Sequence, residues 1–538
     1  VQNRFQHDHF LPVSLSMQRP FALLSLFMVV NPLSPANWFT SKPTNLYNDK
    51  TRGNVPVLTI DWKPDKSSDI PIYVQIVAYM KGKIAGGEWP INSKLPTQRA
   101  LAQAFDVNRS TVVTALEELK ADGFIEATVG SGSVVSNNTW SLLTTAPPPN
   151  WLGYVQAGAH LPNSPTIQDI NRYEPDPRYI RLGTGELSPS LIPVAEMEEV
   201  MASLQGKMTQ LGYSEPKGLL PLRQAISNHL RSRGIEASPA SILVVSGALQ
   251  ALQLISIGIL HRGSAILLEQ PSYLFSLPLF QSSGMRLVGV PMDAEGISPQ
   301  VLTRQKQAHN AALLYTISAY HNPTGISMSE NRREQVLAAC ERERLPVLED
   351  DVYGELWLDE PGPLPLKARD QSGLVLYLGS LSKTLSPGLR IGWIVGPEPV
   401  IERLADVKMQ TDYGASAISQ WVATEWLISD RYSRHLDQLR EALRHRRDRM
   451  CECLARWFGD LADWRMPHGG FYIWLRLHQA VSMRKLFTEA LAKGVLLNPG
   501  FIYDQTDSHH LRLSYVYAEE ADMEKALFVI SQLLRGKG

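Results

Sequence analysis

The chain has 538 residues, a formal net charge of −1, 44% hydrophobic and 20% charged residues. That length exceeds one ordinary domain, and the composition is that of a soluble globular protein. The near-zero charge excludes a global electrostatic pull toward nucleic acid or lipid, so any DNA contact has to come from a local patch. Residues 1–54 read as an extension, either disordered or an over-long start. Its apolar run Phe21–Val30 covers about half of the ~20 residues a membrane span needs. Arg19 before that run and Pro32-Leu33-Ser34-Pro35 after it give a passing likeness to an export signal. Cys340, Cys451 and Cys453 form neither a Cys-x-x-Cys pair nor an even disulfide set, as expected of a cytoplasmic protein with free thiols.

Residues 55–135 predict a compact, helix-rich front domain. Ile72, Ile76, Val77, Met80 and Ile84 recur at helical spacing, and Gly86-Gly87 stops the helix. Thr97 is placed to cap a second helix from Arg99 to Phe105. A tight turn at Asp106-Val107 then leads to Asn108-Arg109-Ser110-Thr111, the first turn of a third helix. Residues 123–127 and 133–135 form short strands around the Gly130-Ser131-Gly132 tip. This is a helix-turn-helix with a two-stranded wing, a motif whose second helix lies in the major groove with its first residues at base edges. The segments Pro71-Ile72-Tyr73-x-Gln75-Ile76 and Leu95-Pro96-Thr97-x-Arg99 resemble the DNA-binding head of the GntR family. The resemblance implies DNA contacts from Thr97, Arg99, Asn108, Arg109, Ser110 and Thr111, with the wing at Ser131-Gly132. Residues 55–135 hold eight Lys/Arg against nine Asp/Glu, so the domain is not basic. Lys94, Arg99 and Arg109 against Asp106 still leave a small positive face over residues 94–111.

Residues 136–175 read as a polar linker, stiffened by Pro147-Pro148-Pro149 and by Pro162 and Pro165. Beyond it, residues 176–538 alternate apolar runs with amphipathic stretches. Residues 241–245, 265–268, 312–316, 346–348 and 374–378 predict buried strands of a parallel sheet in an α/β fold. Ser380-Leu381-Ser382-Lys383, with Arg390 seven residues on, has what a pyridoxal phosphate site requires. The lysine amine forms a Schiff base with the aldehyde, while the hydroxyls and the guanidinium hold the phosphate. Ser246-Gly247-Ala248 follows a predicted strand and opens a helix, a natural anion site.

These motifs and their order resemble a class I aminotransferase of fold type I over about residues 176–535. The resemblance implies that Tyr273 stacks on the pyridine ring, that Asn322 and Tyr353 bind the phenolic oxygen, and that Asp350 pairs with the pyridine nitrogen. The Asp-x-x-Tyr spacing selects Asp350 over Asp351 for that last role. It further implies that Tyr213 reaches a partner subunit's phosphate in a homodimer, and that Arg512 binds an amino acid's α-carboxylate. No Gly-x-x-x-x-Gly-Lys loop, His-Glu-x-x-His or Gly-x-Ser-x-Gly is present, and His468, His509 and His510 lack metal-ligand spacing. A winged helix joined to an aminotransferase-like domain resembles the MocR subgroup. The expectation is a cytoplasmic, DNA-binding regulator that senses pyridoxal phosphate, an amino acid or an amine. The alternative is a working aminotransferase with an ancillary winged helix.

Overall fold

The computed structural model describes residues 58, 60–86, 88–91, 93–128, 132–136, 151–208 and 211–536. They fall into two compact units, one within Val1–Asn150 and one over Trp151–Gly538. The expectations for residues 1–54, for the Pro147–Pro149 stretch and for Ser131 lie outside the described residues.

The first unit runs α1 (Ile72–Ala85), α2 (Gln98–Phe105), α3 (Arg109–Ala121), β1 (Ile125–Thr128), β2 (Gly132–Val135). α1 buries Ile76, Val77, Met80 and Ile84, the stripe that the helical spacing predicts. At the start of α2 the Thr97 hydroxyl oxygen accepts the Ala100 N–H at 3.2 Å, satisfying one orphan donor of the first turn. Asp106 turns the chain with φ 56°, and α3 then buries Val112, Ala115, Leu116 and Leu119. Leu101, Phe105 and Leu119 are fully buried, each worth roughly 1.5–3 kcal/mol over exposure. β1 and β2 pair antiparallel with Ile125 opposite Val135, which turns both apolar side chains toward the helices.

The second unit begins with α4 (Trp151–Ala157) and α5 (Pro165–Tyr173), so part of the expected 136–175 linker is helical. Pro165 reads as a breaker but occupies the first turn of α5, where its missing N–H is no loss, and Thr166 and Ile170 bury that helix. The main sheet has eight strands: β4 (Ile242–Val245), β5 (Ala265–Gln270), β6 (Arg286–Asp293), β7 (Gly296–Ile297), β8 (Leu313–Thr316), β9 (Val347–Asp350), β10 (Val375–Ser380) and β11 (Gly392–Val395). Their spatial order is β4-β11-β10-β9-β8-β5-β6-β7; β10, β9, β8, β5 and β6 run parallel to one another, and β7 pairs antiparallel with β6. β11 runs antiparallel between β10 and β4. The five predicted runs all form strands of this sheet.

Successive residues of one strand face opposite layers, as the two-residue period demands. Leu313 and Tyr315 enter one core while Leu314 enters the other, and Ile266 and Leu268 divide from Leu267 in the same way. Helix Ala248–Gly258, called α6 here, packs Leu252 and Ile255 into the first core. Helix Glu330–Arg342, α7, packs Val336 and Cys340 into the second. A smaller antiparallel sheet completes the unit. It joins β12 (Ala462–Asp463), β13 (Tyr472–Leu477), β15 (Asn498–Pro499) and β16 (His510–Ser514), while β3 (Ile180–Arg181) pairs with β14 (Val495–Leu496). No helix among the described residues is long and apolar enough to cross a membrane.

Candidate functional site

In the second unit, the C-terminal ends of the parallel strands converge on a cavity of about 370 Å³. That edge is where ligands bind in open α/β sheets. β8 leads to Asn322, β9 ends on Asp350 and β10 ends on Ser380, so three functional side chains come from three adjacent strand ends. Lys383, Ser382, Arg390, Tyr273, Tyr353, Ala248 and Arg512 line the same cavity.

The Lys383 ammonium donates to the Gly185 carbonyl at 2.5 Å. Gly185 has no side chain for a reason: a Cβ there would stand 2.4 Å from the Tyr472 hydroxyl oxygen. Asp350 is 4% exposed, and its Oδ2 accepts from the Tyr315 hydroxyl at 2.7 Å. Its Oδ1 is buried with no partner. Burial pushes the Asp350 carboxyl up to about 6, opposed by the Tyr315 hydrogen bond and the Lys383 charge. The adjacent Asp351 points elsewhere and takes Arg233 at 2.8 Å and the Tyr377 hydroxyl at 3.0 Å. Tyr353 and Tyr472 share a hydrogen bond at 3.1 Å between their hydroxyl oxygens.

Arg512, on β16, is buried between aromatic faces, its guanidinium carbon 4.2 Å from the Tyr472 ring centre and 4.8 Å from that of Tyr503. Nη1 donates to Asn322 Oδ1 at 2.8 Å and Nη2 donates to the Gly183 carbonyl, while Nε is buried without a partner. Asn322 and Gly183 take two of its five N–H groups, and the Asn498 amide oxygen, oriented to suit its neighbours, takes a third at 3.1 Å from Nη2.

At the rim, Arg390 donates to the Ser246 carbonyl at 2.8 Å and lies on Gly247. Gly247 has φ 87°, and a Cβ there would stand 2.5 Å from an Arg390 nitrogen, so both the turn and the close approach require glycine. The N-terminal N–H groups of α6 begin at Ala248. Ser246 and Gly247 border this rim rather than the cavity wall, and the Ser246 hydroxyl donates to the Asp412 carboxylate at 3.4 Å. Ser380 accepts the Ser382 N–H at 3.1 Å, which fixes the turn carrying Lys383. Tyr213 is not brought to the cavity: it is 88% exposed, its ring 5.2 Å from that of Tyr413.

Tyr315, Tyr472, Tyr503, Asn498 and the Gly183–Gly185 loop belong to the site but escaped the sequence reasoning. The Gly-Phe-Tyr run at Gly470–Tyr472 and the spaced glycines Gly183 and Gly185 were the available signals.

In the first unit, Arg99, Asn108, Arg109 and Ser110 are exposed, and Thr111 is half-buried. The Arg109 guanidinium is held by Gln98 Oε1 at 3.2 Å from Nε and 3.0 Å from Nη2. Thr97 is exposed but its oxygen serves as the α2 cap, and Gly132 opens β2 beside the Lys94 stem.

Comparison with known proteins assigns both units. Residues 177–530 match the family Aminotransferase class I and II, and residues 72–135 match Bacterial regulatory proteins, gntR family. The chain is 52% identical over 470 residues to the HTH-type transcriptional regulator YdfD of Bacillus subtilis, covering 87% of this chain and 98% of the relative. It is 35% identical over 440 residues to the HTH-type transcriptional regulator NorG of Staphylococcus aureus, covering 81% and 98%. Among solved structures it is similar to Pyrococcus horikoshii kynurenine aminotransferase, with 28% identity, TM-score 0.67, and 72% of this chain and 99% of that one covered. The multiple substrate aminotransferase of Thermococcus profundus gives 26% identity and TM-score 0.65 over 70% and 96%. An aminotransferase class I fold implies dependence on pyridoxal phosphate. The residues present fit that group: the unpartnered Asp350 Oδ1 is an acceptor awaiting a ring N–H, in the same cavity as a primary amine.

Proposed function

Because this chain belongs to the GntR-type regulators that carry an aminotransferase class I and II domain, the MocR arrangement, we propose that it is a cytoplasmic, homodimeric transcription regulator whose large unit binds pyridoxal phosphate and senses that cofactor, an amino acid or an amine. One observation favours regulation over metabolism: the winged helix presents Arg109 and Ser110 in the exposed first turn of α3, where base edges are read. A metabolic transaminase has no use for such a head.

Each pocket residue has a role set by its chemistry. The Lys383 amine would bond the cofactor's aldehyde carbon. Asp350 Oδ1 would accept a hydrogen bond from the protonated ring nitrogen and keep the proton there by charge. Asn322 commits its Oδ1 to Arg512, which leaves its amide N–H for the phenolic oxygen, beside the Tyr353 hydroxyl. Arg390, Ser380, Ser382, the Ser246 hydroxyl and the N–H groups at Gly247 and Ala248 would hold the phosphate, with Tyr213 of a second copy completing it. Tyr273 would cover the ring, and Arg512 would clamp an α-carboxylate. When bound, the cofactor supplies an electron sink for the carbon bearing a substrate's amine.

That set is complete enough to support a half-reaction, so a working aminotransferase is the competing function. A gel shift with the DNA upstream of the chain's own gene, run beside a transamination assay on the same preparation, separates them. Specific retardation with little turnover is expected; fast turnover with no specific retardation would overturn the regulatory function.

A further inference from the structure

Of the acidic and basic residues lining the cavity, five have a partner or a role. Lys383, Asp350 and Arg390 face the cofactor site, Arg512 is the carboxylate clamp, and Glu186 lies 3.9 Å from Arg181. Glu174 is left over. It stands at the C-cap of α5, its N–H closing the last turn onto the Ile170 carbonyl. A carboxylate there meets the negative end of the helix, where a cation would be stabilising by a few tenths to about 1 kcal/mol. Yet among the described residues no Lys, Arg or His forms an ion pair with it. Its Oε1 accepts only the Thr184 hydroxyl, at 2.7 Å. That bond fixes the carboxylate relative to the clamp, because the neighbouring Gly183 carbonyl is the one that receives Arg512 Nη2. Glu174 and Arg512 are thus tied to adjacent residues of one loop, and both line the same cavity. The same cavity has Ile167, Ile170, Leu277 and Ile502 in its lining, while Asn171 sits about one helical turn before Glu174.

We propose that Glu174 is a specificity residue for a second, cationic nitrogen on the effector. The favoured ligand class is an amino acid that offers its α-carboxylate to Arg512 and carries a protonated amine at the end of an apolar side chain. This rests on the amino-acid sensing proposed above and narrows it. A cationic group brought to Glu174 removes the unfavourable charge at the α5 terminus and acquires the charge-assisted hydrogen bonds that Thr184 alone does not satisfy. A neutral side chain of the same length leaves that carboxylate facing an apolar ligand, at a desolvation cost.

The test is calorimetric titration of the full, cofactor-loaded protein with L-2,4-diaminobutyrate and L-ornithine against L-norvaline and L-norleucine, which carry a methyl in place of the terminal ammonium. The parent should bind at least one diamino acid about 10-fold or more tighter than its neutral counterpart, and Glu174→Gln should shrink that ratio to about 2-fold or less. The ratio is taken within one protein, so a general loss of folding cannot mimic the result. Neutral amino acids that bind as tightly as the diamino series, or a preference that persists in Glu174→Gln, would overturn the role of Glu174 and leave amino-acid sensing standing. Binding of neither class would overturn both.

Discussion

Asp350→Asn should stabilise the cofactor-free protein, although it removes a residue the site depends on. The Asp350 carboxyl is driven up to about 6 from an ordinary 3.8, chiefly by burial. About two pKa units of preference for the neutral form is worth about 3 kcal/mol of destabilisation once the group is ionised. The folded pKa is the higher one, so the stabilising neutral form is fully present below about pH 3.8. It is lost as pH rises through about 6, and the penalty is complete above that. Asparagine keeps the shape and removes the charge. Its carbonyl can still accept the Tyr315 hydroxyl, but its N–H then occupies the place where Oδ1 has no partner, costing about 1 kcal/mol. The net gain for Asp350→Asn is therefore about 2 kcal/mol at pH 8, shrinking to roughly nothing near pH 4.5. Urea unfolding of the cofactor-free chain at both pH values measures it. Saturating pyridoxal phosphate should reverse the order at pH 8, because only the carboxylate holds the ring-nitrogen proton by charge. An Asn variant less stable than the parent at pH 8 without cofactor, or equal stabilisation of both by cofactor, would show that the buried Asp350 charge carries no such penalty.

Borohydride reduction of the cofactor-loaded protein should leave the pyridoxyl group on Lys383, and Lys383→Ala should lose the yellow absorbance; peptide mapping to another lysine would displace the assignment. Arg109→Ala should cost about 1–3 kcal/mol of base discrimination and leave the cofactor site untouched, as read by footprinting beside visible absorbance. Its two contacts to Gln98 Oε1 already orient the guanidinium, so Gln98→Ala should give a smaller loss at the same DNA positions. Tyr213→Phe should weaken cofactor affinity in a dimer without changing the sedimentation of the dimer itself; a monomer binding cofactor with full affinity would exclude Tyr213 as a partner's ligand.

Strands buried on both faces show as continuous apolar runs, which is why five strands of the main sheet were legible. β11 escaped because Gly392–Val395 follows the arginine motif directly and carries nothing that marks a reversed direction. α5 was hidden by Pro165, whose meaning changes from breaker to first-turn residue only when Ile170 is seen to bury. Within the site, motif residues were legible because they cluster along the chain at strand ends. Tyr315 and Tyr472 were not, since each meets its partner far along the chain: Tyr315 meets Asp350 across 35 residues and Tyr472 meets Tyr353 across 119. Asp350 and Asp351 could be told apart in the sequence only by the Asp-x-x-Tyr spacing of the resembling family, and the physical reason appears only in the structure. Adjacent residues at a strand end face opposite sides, so one carboxylate enters the cavity and the other pairs with Arg233 in the interior.

If one chain both binds DNA and reads its cofactor pocket, thermodynamic linkage makes the coupling measurable. The decisive measurement is the affinity for the upstream DNA at fixed salt, with and without pyridoxal phosphate and a bound amino acid, in the parent and in Lys383→Ala. A shift of about 5-fold or more in the parent, absent from Lys383→Ala, is predicted. Identical affinities under all conditions, in a protein that binds its cofactor through Lys383, would mean that the pocket does not govern DNA binding.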